Sequence, residues 1–159
     1  MHVMKRHSAL FCALILVMTL LIACNSEAPA ADSGLPRLDI RNSRSETVSL
    51  GIEIADTQDE REHGLSNRES LAKDTGMLFI IEQRGPGFWM KDTSLPLSIA
   101  YLDTQGRIVR IADMTPFDTS AVPSVRPAMY ALEVNQGWFT RHSIQVGASV
   151  KGVPPPSAH

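Results

Sequence analysis

Residues 48–54 read Val-Ser-Leu-Gly-Ile-Glu-Ile, a stretch in which large apolar residues alternate with small or polar ones. Because successive side chains of a strand point to opposite faces, this period of two predicts a half-buried β-strand. Leu38 and Ile40 indicate a shorter strand before it. The continuous apolar run at residues 77–81 suits a strand at the centre of a sheet. The fold is therefore expected to be built on a sheet.

Further short strands follow along the chain. They are predicted at residues 88–91, 99–102, 107–111, 129–134 and 144–150. The sequence Asp-Thr-Gln-Gly at residues 103–106 is a hairpin signal between the second and third of these strands. Residues 116–127 contain three prolines and are predicted to form a long loop.

Helical signals are few and short. Thr57-x-x-Glu60 is a capping box, which predicts a short helix that ends near Gly64. Single helical turns are predicted at residues 66–69 and 138–142. No strand–helix–strand alternation supports a doubly wound fold. The expected fold is mainly β (α+β), a compact antiparallel sandwich or barrel with one or two short helices.

The N-terminal segment carries a localisation signal. Lys5 and Arg6 precede an apolar run of fifteen residues, 9–23, which is shorter than the ~20 residues that a spanning helix needs. Residues 1–23 are therefore predicted to be a secretory signal peptide. They end in Leu-Ile-Ala before Cys24, which resembles the lipobox of bacterial lipoproteins and implies acylation of Cys24. An ordinary cleaved signal and an uncleaved anchor helix are the alternatives.

This signal predicts a protein of the cell envelope, anchored by lipid at the periplasmic face of a bacterial membrane. Residues 24–35 are predicted to be a tether, residues 36–150 one domain and residues 151–159 a proline-rich tail. The 159 residues are 43% apolar and carry a formal charge of −2, which is typical of a globular protein and argues against nucleic-acid binding. With Cys12 in the signal and Cys24 acylated, no disulfide is expected.

The chain lacks the common catalytic and nucleotide-binding motifs. Its histidines beyond the signal, His63, His142 and His159, are far apart in sequence, and no spacing indicates a metal site. A serine–histidine–aspartate arrangement is possible on paper, but residue counts alone give it no specificity. No cofactor and no metal are therefore expected.

The candidate site is centred on the segment Phe-Trp-Met-Lys-Asp-Thr at residues 88–93. If it is a strand, Trp89 and Lys91 share one face, and Asp92 follows them. These residues are interpreted either as a pocket floor or as a cover for the sheet, with the Lys91 stem lying along apolar surface. Arg61 and Arg68 flank Gly-Leu at residues 64–65, and each could bind an anionic group or tie the helix end to a loop carbonyl.

The acidic candidates are Glu133 and Asp103. Glu133 is expected either to face solvent or to form a partly buried ion pair with Lys91 or Arg61. A lysine on a covered strand would need such a partner or a wet cleft. If the helix before Leu65 packs over the Trp89 face, the cationic residues converge, and an anionic group of a ligand is the expected guest. If it packs on the Phe88–Met90 face instead, the arginines are structural and the binding hypothesis loses its main support.

Six motifs in order resemble those of domain-of-unknown-function family 192 of bacteria and archaea. They are Glu60-Arg61-x-x-Gly64-Leu65-x-x-Arg68, Gly76-Met77-Leu78-Phe79, Phe88-Trp89-Met90-Lys91-x-Thr93-x-x-Pro96-Leu97, Asp103-x-x-Gly106-x-Ile108, Leu132-Glu133-x-x-x-Gly137 and Ile144-x-x-Gly147. The resemblance implies an exported or membrane-anchored, mainly β domain, and it implies no reaction. The chain has Ser66 where the family usually has Met, and Ser98 where it usually has Asp.

The absence of that carboxylate at Ser98 weakens any mechanism that uses it as an acid or base. The leading hypothesis is therefore a non-enzymatic envelope domain that binds a small polar or anionic ligand, a glycan or a protein partner. A second hypothesis is an envelope hydrolase that uses Asp92, Asp103, Glu133 or His142. A third is a structural or assembly factor with a sticky surface at Trp138-Phe139 or in the 116–127 loop.

Overall fold

The computed structural model describes residues 34–81 and 87–155, and within them it has seven strands and two short helices. The elements are β1 (Arg37–Arg41), β2 (Thr47–Ala55), α1 (Gln58–His63), β3 (Thr75–Ile80), β4 (Leu97–Leu102), β5 (Ile108–Met114), β6 (Tyr130–Asn135), α2 (Trp138–Arg141) and β7 (Val150–Lys151). The predictions for the signal peptide, Cys24, most of the tether and the end of the proline-rich tail, with His159, lie outside the described residues.

All seven of these strands belong to one sheet in the order β5-β4-β6-β3-β2-β1-β7, curled into a half-barrel. The expectation of a mainly β fold with short helices is confirmed. The expectation of purely antiparallel pairing is wrong for one pair, because β2 and β3 are parallel. The chain crosses between them through α1, and a parallel pair needs such a crossover.

The sheet buries apolar residues on both faces, because side chains alternate along each strand. One face, here called the α2 face, is covered by α2 and the segment after it; its buried members include Leu38, Ile52, Leu78, Leu132, Trp138 and Phe139. The opposite face, here called the cleft face, is covered by the loops after α1 and before β4; its buried members include Leu65, Met77, Phe79, Met90, Ile99 and Tyr101. The strand at the centre of the sheet is β3, as the apolar run predicts.

Residues 88–91 do not form the predicted strand. Phe88 makes an isolated bridge to Val122, and the chain then turns through Asp92, which has a φ of 53°. The predicted alternation of side chains nevertheless holds over this segment. Met90 is buried among the core residues of the cleft face, whereas Trp89 is 59% exposed.

Two other expected elements are shorter or absent. In the predicted strand at 144–150, only Val150 is part of a strand, because β7 comprises Val150–Lys151. The predicted helical turn at 66–69 is an irregular turn in which Asn67 has a φ of 60°, outside the helical range. The turn at 138–142 is confirmed as α2.

Helix α1 begins at the predicted capping box. The Glu60 N–H donates to the Thr57 hydroxyl at 3.3 Å, and the Thr57 N–H donates to the Glu60 carboxylate at 3.1 Å. The helix ends before Gly64, which has a φ of 50° and lies so close to Phe79 that a Cβ would meet its ring at 3.3 Å. This tight turn sends Leu65 into the core of the cleft face.

The chain beyond β7 folds back onto the sheet as far as it is described. The Tyr130 hydroxyl donates to the Pro154 carbonyl at 2.7 Å, and Val153 packs against the core of the α2 face. Neither α1 nor α2, the helices within residues 34–81 and 87–155, has the length and apolar character needed to cross a bilayer.

Candidate functional site

A cleft of about 730 Å³ opens on the cleft face, between the turn that follows α1 and the segment at residues 87–93. Its floor is largely aromatic. The Phe88 ring lies edge-on to Phe79, with ring centroids 4.8 Å apart, and edge-on to Tyr101 at 6.0 Å. Leu97 completes the apolar surface from β4. A concave apolar surface with a few polar groups is the usual form of a small-molecule site.

Two hydrogen bonds to backbone carbonyl groups hold the sides of the cleft together at one end. The Asn67 N–H donates to the Asp92 carbonyl at 2.8 Å, and the Ser66 hydroxyl donates to the Lys91 carbonyl at 3.2 Å. Both Asn67 and Asp92 have left-handed backbone conformations. Asparagine and aspartate tolerate this conformation better than most residues, which explains their presence at these two turns.

The other side of segment 87–93 is fixed to the 116–127 loop. The Phe88 N–H donates to the Val122 carbonyl at 3.1 Å, and the Met90 N–H donates to the Asp118 carbonyl at 2.8 Å. The Tyr101 hydroxyl also donates to the Val122 carbonyl, at 2.5 Å. The segment is therefore held from both sides by hydrogen bonds, although it is not a strand.

Glu133 is the acidic side chain of the cleft floor. It lies on β6, in register with Met77 on β3 and Ile99 on β4, so its side chain is on the cleft face and is 4% exposed. No hydrogen bond or ion pair joins its carboxyl group to any other residue in the described parts of the chain. Burial raises the pKa of Glu133 to about 8, because an apolar environment disfavours the charged form.

Tyr101 shares this environment. Burial raises the pKa of its hydroxyl to about 12, and the nearby negative charge of Glu133 adds to the rise. Tyr101 donates its proton to Val122, and a backbone hydrogen bond from Phe88 to its oxygen partly offsets the rise of its pKa. The floor thus offers one carboxyl group and one phenol oxygen in an otherwise apolar surface.

Five of the seven predicted binding residues line the cleft. They are Arg61, Trp89, Lys91, Asp92 and Glu133. Trp89, Lys91 and Asp92 are exposed on its rim, and Arg61 is half-buried there, its guanidinium donating to the Asp56 carbonyl. Within residues 34–81 and 87–155, neither Arg61 nor Lys91 forms an ion pair with a carboxylate.

The structure does not bring Arg68 and Asp103 to the cleft. Arg68 donates two parallel hydrogen bonds of 2.6 Å to Glu53 on β2. The guanidinium of Arg68 therefore lowers the pKa of Glu53, mainly through these hydrogen bonds. Asp103 lies in the β4–β5 hairpin, where its carboxylate accepts the N–H groups of Gln105 and Arg107 at 2.9 Å.

Two expectations about the neighbourhood are wrong. Glu133 is only 4% exposed and is not paired with Lys91 or Arg61, because both faces of the sheet are covered at its position. Lys91 is exposed and needs no buried partner. Of the two packings left open, the turn after α1 takes the Phe88–Met90 side, since Leu65 needs an apolar surface that the exposed Trp89 does not provide, and a convergence of both arginines over the Trp89 face therefore no longer supports ligand binding.

Ser98 has no part in the cleft. Its neighbours Leu97 and Ile99 belong to the cleft face, so Ser98 is directed to the α2 face. Its hydroxyl donates to Asp113 at 2.5 Å and accepts the Gly137 N–H at 2.9 Å, just before α2. The departure from the family pattern at this position therefore bears on the start of α2 and leaves the cleft unchanged.

The aromatic floor and part of the rim were not predicted. Phe79 and Tyr101 are both in register with Ala131, two residues from Glu133, so they lie on the same face of the sheet as Glu133. His63 lies on the rim, whereas His142 is on the α2 side, 3.4 Å from Asp74 and stacked on Trp138. In the described parts of the chain, no three His, Cys, Asp or Glu side chains are grouped closely enough to hold a metal ion.

Comparisons with known proteins agree with this fold. The model of family DUF192, described as "Uncharacterized ACR", matches residues 40–152. A crystal structure from Sinorhizobium meliloti 1021, described as a "putative transcription regulator", has 32% identity and a TM-score of 0.69, covering 73% of this chain and 92% of its own. A protein of unknown function from Novosphingobium aromaticivorans has 29% identity and a TM-score of 0.69, covering 78% of this chain and 91% of its own. The curated proteins include no match.

Proposed function

The chain belongs to the DUF192 family, and we propose that it serves as a ligand-binding domain, held at the periplasmic face of a bacterial membrane through a lipidated Cys24. The family description names no activity, so the proposal is built on the cleft. The proposed guest is a small polar ligand or a glycan, with an envelope protein as the larger alternative. Nucleic acid is not among the proposed partners, because the chain has a net negative charge.

The observation that carries the proposal is the Glu133 carboxyl group. A buried polar group without a partner lowers the stability of a fold, and proteins satisfy most such groups. The Glu133 carboxyl group bonds to no other described residue, but it lies on the floor of a cleft of about 730 Å³, and neither oxygen is both sealed from the cleft and without a partner. A ligand that enters the cleft can take the place of water as the hydrogen-bond partner of this group, which is a physical reason for the fold to retain a carboxyl group at this position.

The rim supports the same proposal. Trp89 exposes a large ring on which a sugar or another flat group can stack, and such rings contribute much of the energy of binding sites. Arg61 and Lys91 add cationic donors without carboxylate partners in the described parts of the chain. An anionic group of a ligand is thus proposed for the rim, and not for the floor, where it would meet the carboxyl group of Glu133.

A thermal-shift screen of the full chain in lipid nanodiscs tests the proposal. Binding to the native state raises Tm, by an amount that grows with ligand concentration. We expect some sugars or small polar compounds to raise the Tm of wild type and to do so less in Trp89→Ala. Glu69→Gln, an exposed carboxylate outside the cleft, is the matched control. A hit that shifts Trp89→Ala and wild type equally would place binding elsewhere.

An envelope hydrolase is the second candidate, favoured by one observation. Glu133 and Asp92 line the same cleft, and a carboxyl group whose pKa is raised to about 8 is suited to act as a general acid near neutral pH. Asp103 and His142, the other residues of that hypothesis, lie away from the cleft. Turnover of chromogenic glycosides that Glu133→Gln abolishes and Glu69→Gln preserves would favour the enzyme over the binding domain.

A structural or assembly factor has weaker support. Trp138 and Phe139 are both buried on the α2 face, so they cannot form the expected sticky surface. The 116–127 loop does expose Phe117 and Val125. If this loop recruits an envelope protein, Phe117→Ser should abolish a crosslinked complex in intact cells without lowering Tm.

A further inference from the structure

The floor of the cleft has acceptors but no cation. Within the described chain, the residues that pair with Glu133 across the sheet are Met77 and Ile99, which are apolar, and Tyr101 gives its proton to Val122. The charged or titratable groups of the surrounding cleft are on the rim; they are Arg61, Glu62, His63, Lys91 and Asp92. None of these five forms an ion pair with Glu133 in the part of the chain that the structure describes.

A carboxyl group has one property at this position that an amide lacks. Glutamine would offer a donor and an acceptor to a neutral ligand without the cost of placing an ionisable group in an apolar environment. Glutamate can in addition become an anion and form a charge-assisted hydrogen bond, which is about twice as strong as a neutral one. A ligand cation is therefore the partner that would use the difference between the two side chains.

The aromatic floor favours the same kind of group. Phe79, Phe88 and Tyr101 form a continuous edge-to-face series beside Glu133. The negative faces of such rings attract a cation within about 6 Å, and the attraction grows when water is excluded. A carboxylate among aromatic rings is thus complementary to an ammonium group and repels an anion.

We infer that the cleft takes its ligand through a protonated amine, which enters the aromatic floor and pairs with Glu133. This inference rests on the proposed binding function and specifies its ligand as a small organic amine. The rest of the ligand lies toward the rim, where Arg61 and Lys91 admit a neutral or an anionic end. Binding near neutral pH transfers the Glu133 proton to solvent, because the carboxyl group must ionise to pair with the ammonium group.

The test uses three probes of nearly equal size: benzylamine, benzyl alcohol and benzoate. Calorimetric titrations of the full chain in nanodiscs, in two buffers of different ionisation enthalpy, give the affinity and the number of protons released. We expect benzylamine to bind best and to release up to one proton at pH 7. In Glu133→Gln its affinity should fall roughly ten- to a hundredfold, the range of a hydrogen bond to a charged group, and the proton release should disappear.

Glu69→Gln should bind benzylamine as wild type does. Because glutamine is nearly the same size as glutamate, Glu133→Gln is expected to fold. If that variant does unfold, the proton release and the order of the three probes on wild type still decide the question. Tighter binding of benzyl alcohol or benzoate, or benzylamine binding as tight in Glu133→Gln as in wild type, overturns the amine and leaves the binding function intact. If none of the three probes binds, the amine is overturned as well. The broad thermal-shift screen then decides separately whether the protein binds any small ligand.

Discussion

At the scale of single residues, the direction of the Glu133 side chain is predictable from the sequence, whereas its burial is not. The triplet Leu132-Glu133-Val134 has the alternation of a half-exposed strand, and this pattern correctly predicts that Glu133 faces away from its neighbours. The pattern does not show that loops cover that second face, because residues 63–67 and 87–93 are distant in sequence. The burial of Glu133 is thus a tertiary effect that the local sequence does not encode.

The buried carboxyl group predicts an unusual pH dependence of stability. Because the pKa of Glu133 is raised from 4.5 to about 8 on folding, the folded state binds the proton more tightly. The stabilisation that Glu133 contributes to the free energy of unfolding is fully present below pH 4.5 and is lost as the pH rises toward 8. The expected loss is several kcal/mol, since each pKa unit corresponds to about 1.4 kcal/mol.

Urea unfolding of wild type and Glu133→Gln at pH 5, 6, 7 and 8 measures this effect. The amide does not ionise, so the variant should become the more stable protein as the pH rises. Glu69→Gln supplies the comparison for an exposed carboxylate. Parallel pH curves for wild type and Glu133→Gln would mean that the Glu133 carboxyl group is solvated in the folded protein.

Arg68 and Glu53 predict a second, opposite pH effect. Their side chains are 32% and 38% exposed, so the bidentate pair is expected to contribute only about 1 kcal/mol. The pKa of Glu53 is lowered, hence this contribution is present above pH 4.5 and is lost as the pH falls. A double-mutant cycle with Arg68→Ala and Glu53→Ala at pH 7 should give that coupling, and a cycle at pH 3 should give a smaller one. Equal coupling at both pH values would contradict the ionic assignment.

At the scale of elements, the close approach of β3 to β6 explains the Gly76-Met77-Leu78-Phe79 motif. A Cβ on Gly76 would lie 2.5 Å from the Glu133 carbonyl oxygen, so no larger residue fits without moving β6. The motif thus brings the strand that carries Glu133 against β3, while Phe79, three residues after Gly76, forms part of the cleft floor. The sequence indicates the strand, but the reason for its glycine becomes visible only with the neighbouring strand in place.

Segment 87–93 has the alternating side chains expected of a strand, but its backbone does not form one. Alternation of Phe88 and Met90 with Trp89 and Lys91 predicts a strand, and the same alternation holds in an extended loop. A strand also needs a ladder of backbone partners, and the pattern of side chains does not report on that. Here the neighbouring 116–127 loop provides a single bridge at Val122 before the chain turns at Asp92.

Phe79 joins these two elements, and its removal tests the packing of the cleft face. It is 1% exposed and contacts Phe88 edge-on at 4.8 Å. Phe79→Ala should lower the free energy of unfolding by ~3–5 kcal/mol, because it removes buried apolar surface and leaves a cavity. Phe117→Ala, at a position 64% exposed, should change it by less than about 1 kcal/mol. Equal effects of the two substitutions in thermal unfolding would show that Phe79 is not a core residue.

At the scale of the whole molecule, the two faces of one curled sheet have different roles. The α2 face buries a continuous apolar core, whereas the cleft face combines its core with an open cleft, the proposed ligand site. Strand periodicity predicted the mainly β class, but the curl of the sheet and the parallel β2–β3 pair depend on which strands meet. Arg61, Trp89, Lys91 and Glu133 line one cleft, but not through the packing over the Trp89 face on which their convergence was expected to depend, and Arg68 is held away by Glu53, two strands from Glu133.

The proposed attachment of this domain to a membrane depends on Cys24, which lies outside the described chain. Cys24 follows a signal-like segment and a lipobox-like Leu-Ile-Ala, and it is the only cysteine after residue 12. Two acyl chains on one residue give stable anchoring, whereas a single chain binds membranes reversibly. Cys24→Ser should therefore move the protein from the membrane to the soluble fraction, or leave it as an unprocessed precursor of higher mass. Fractionation followed by mass spectrometry distinguishes these forms. Cys12→Ser is the matched control. Normal processing and unchanged membrane partitioning of Cys24→Ser would refute the lipid anchor.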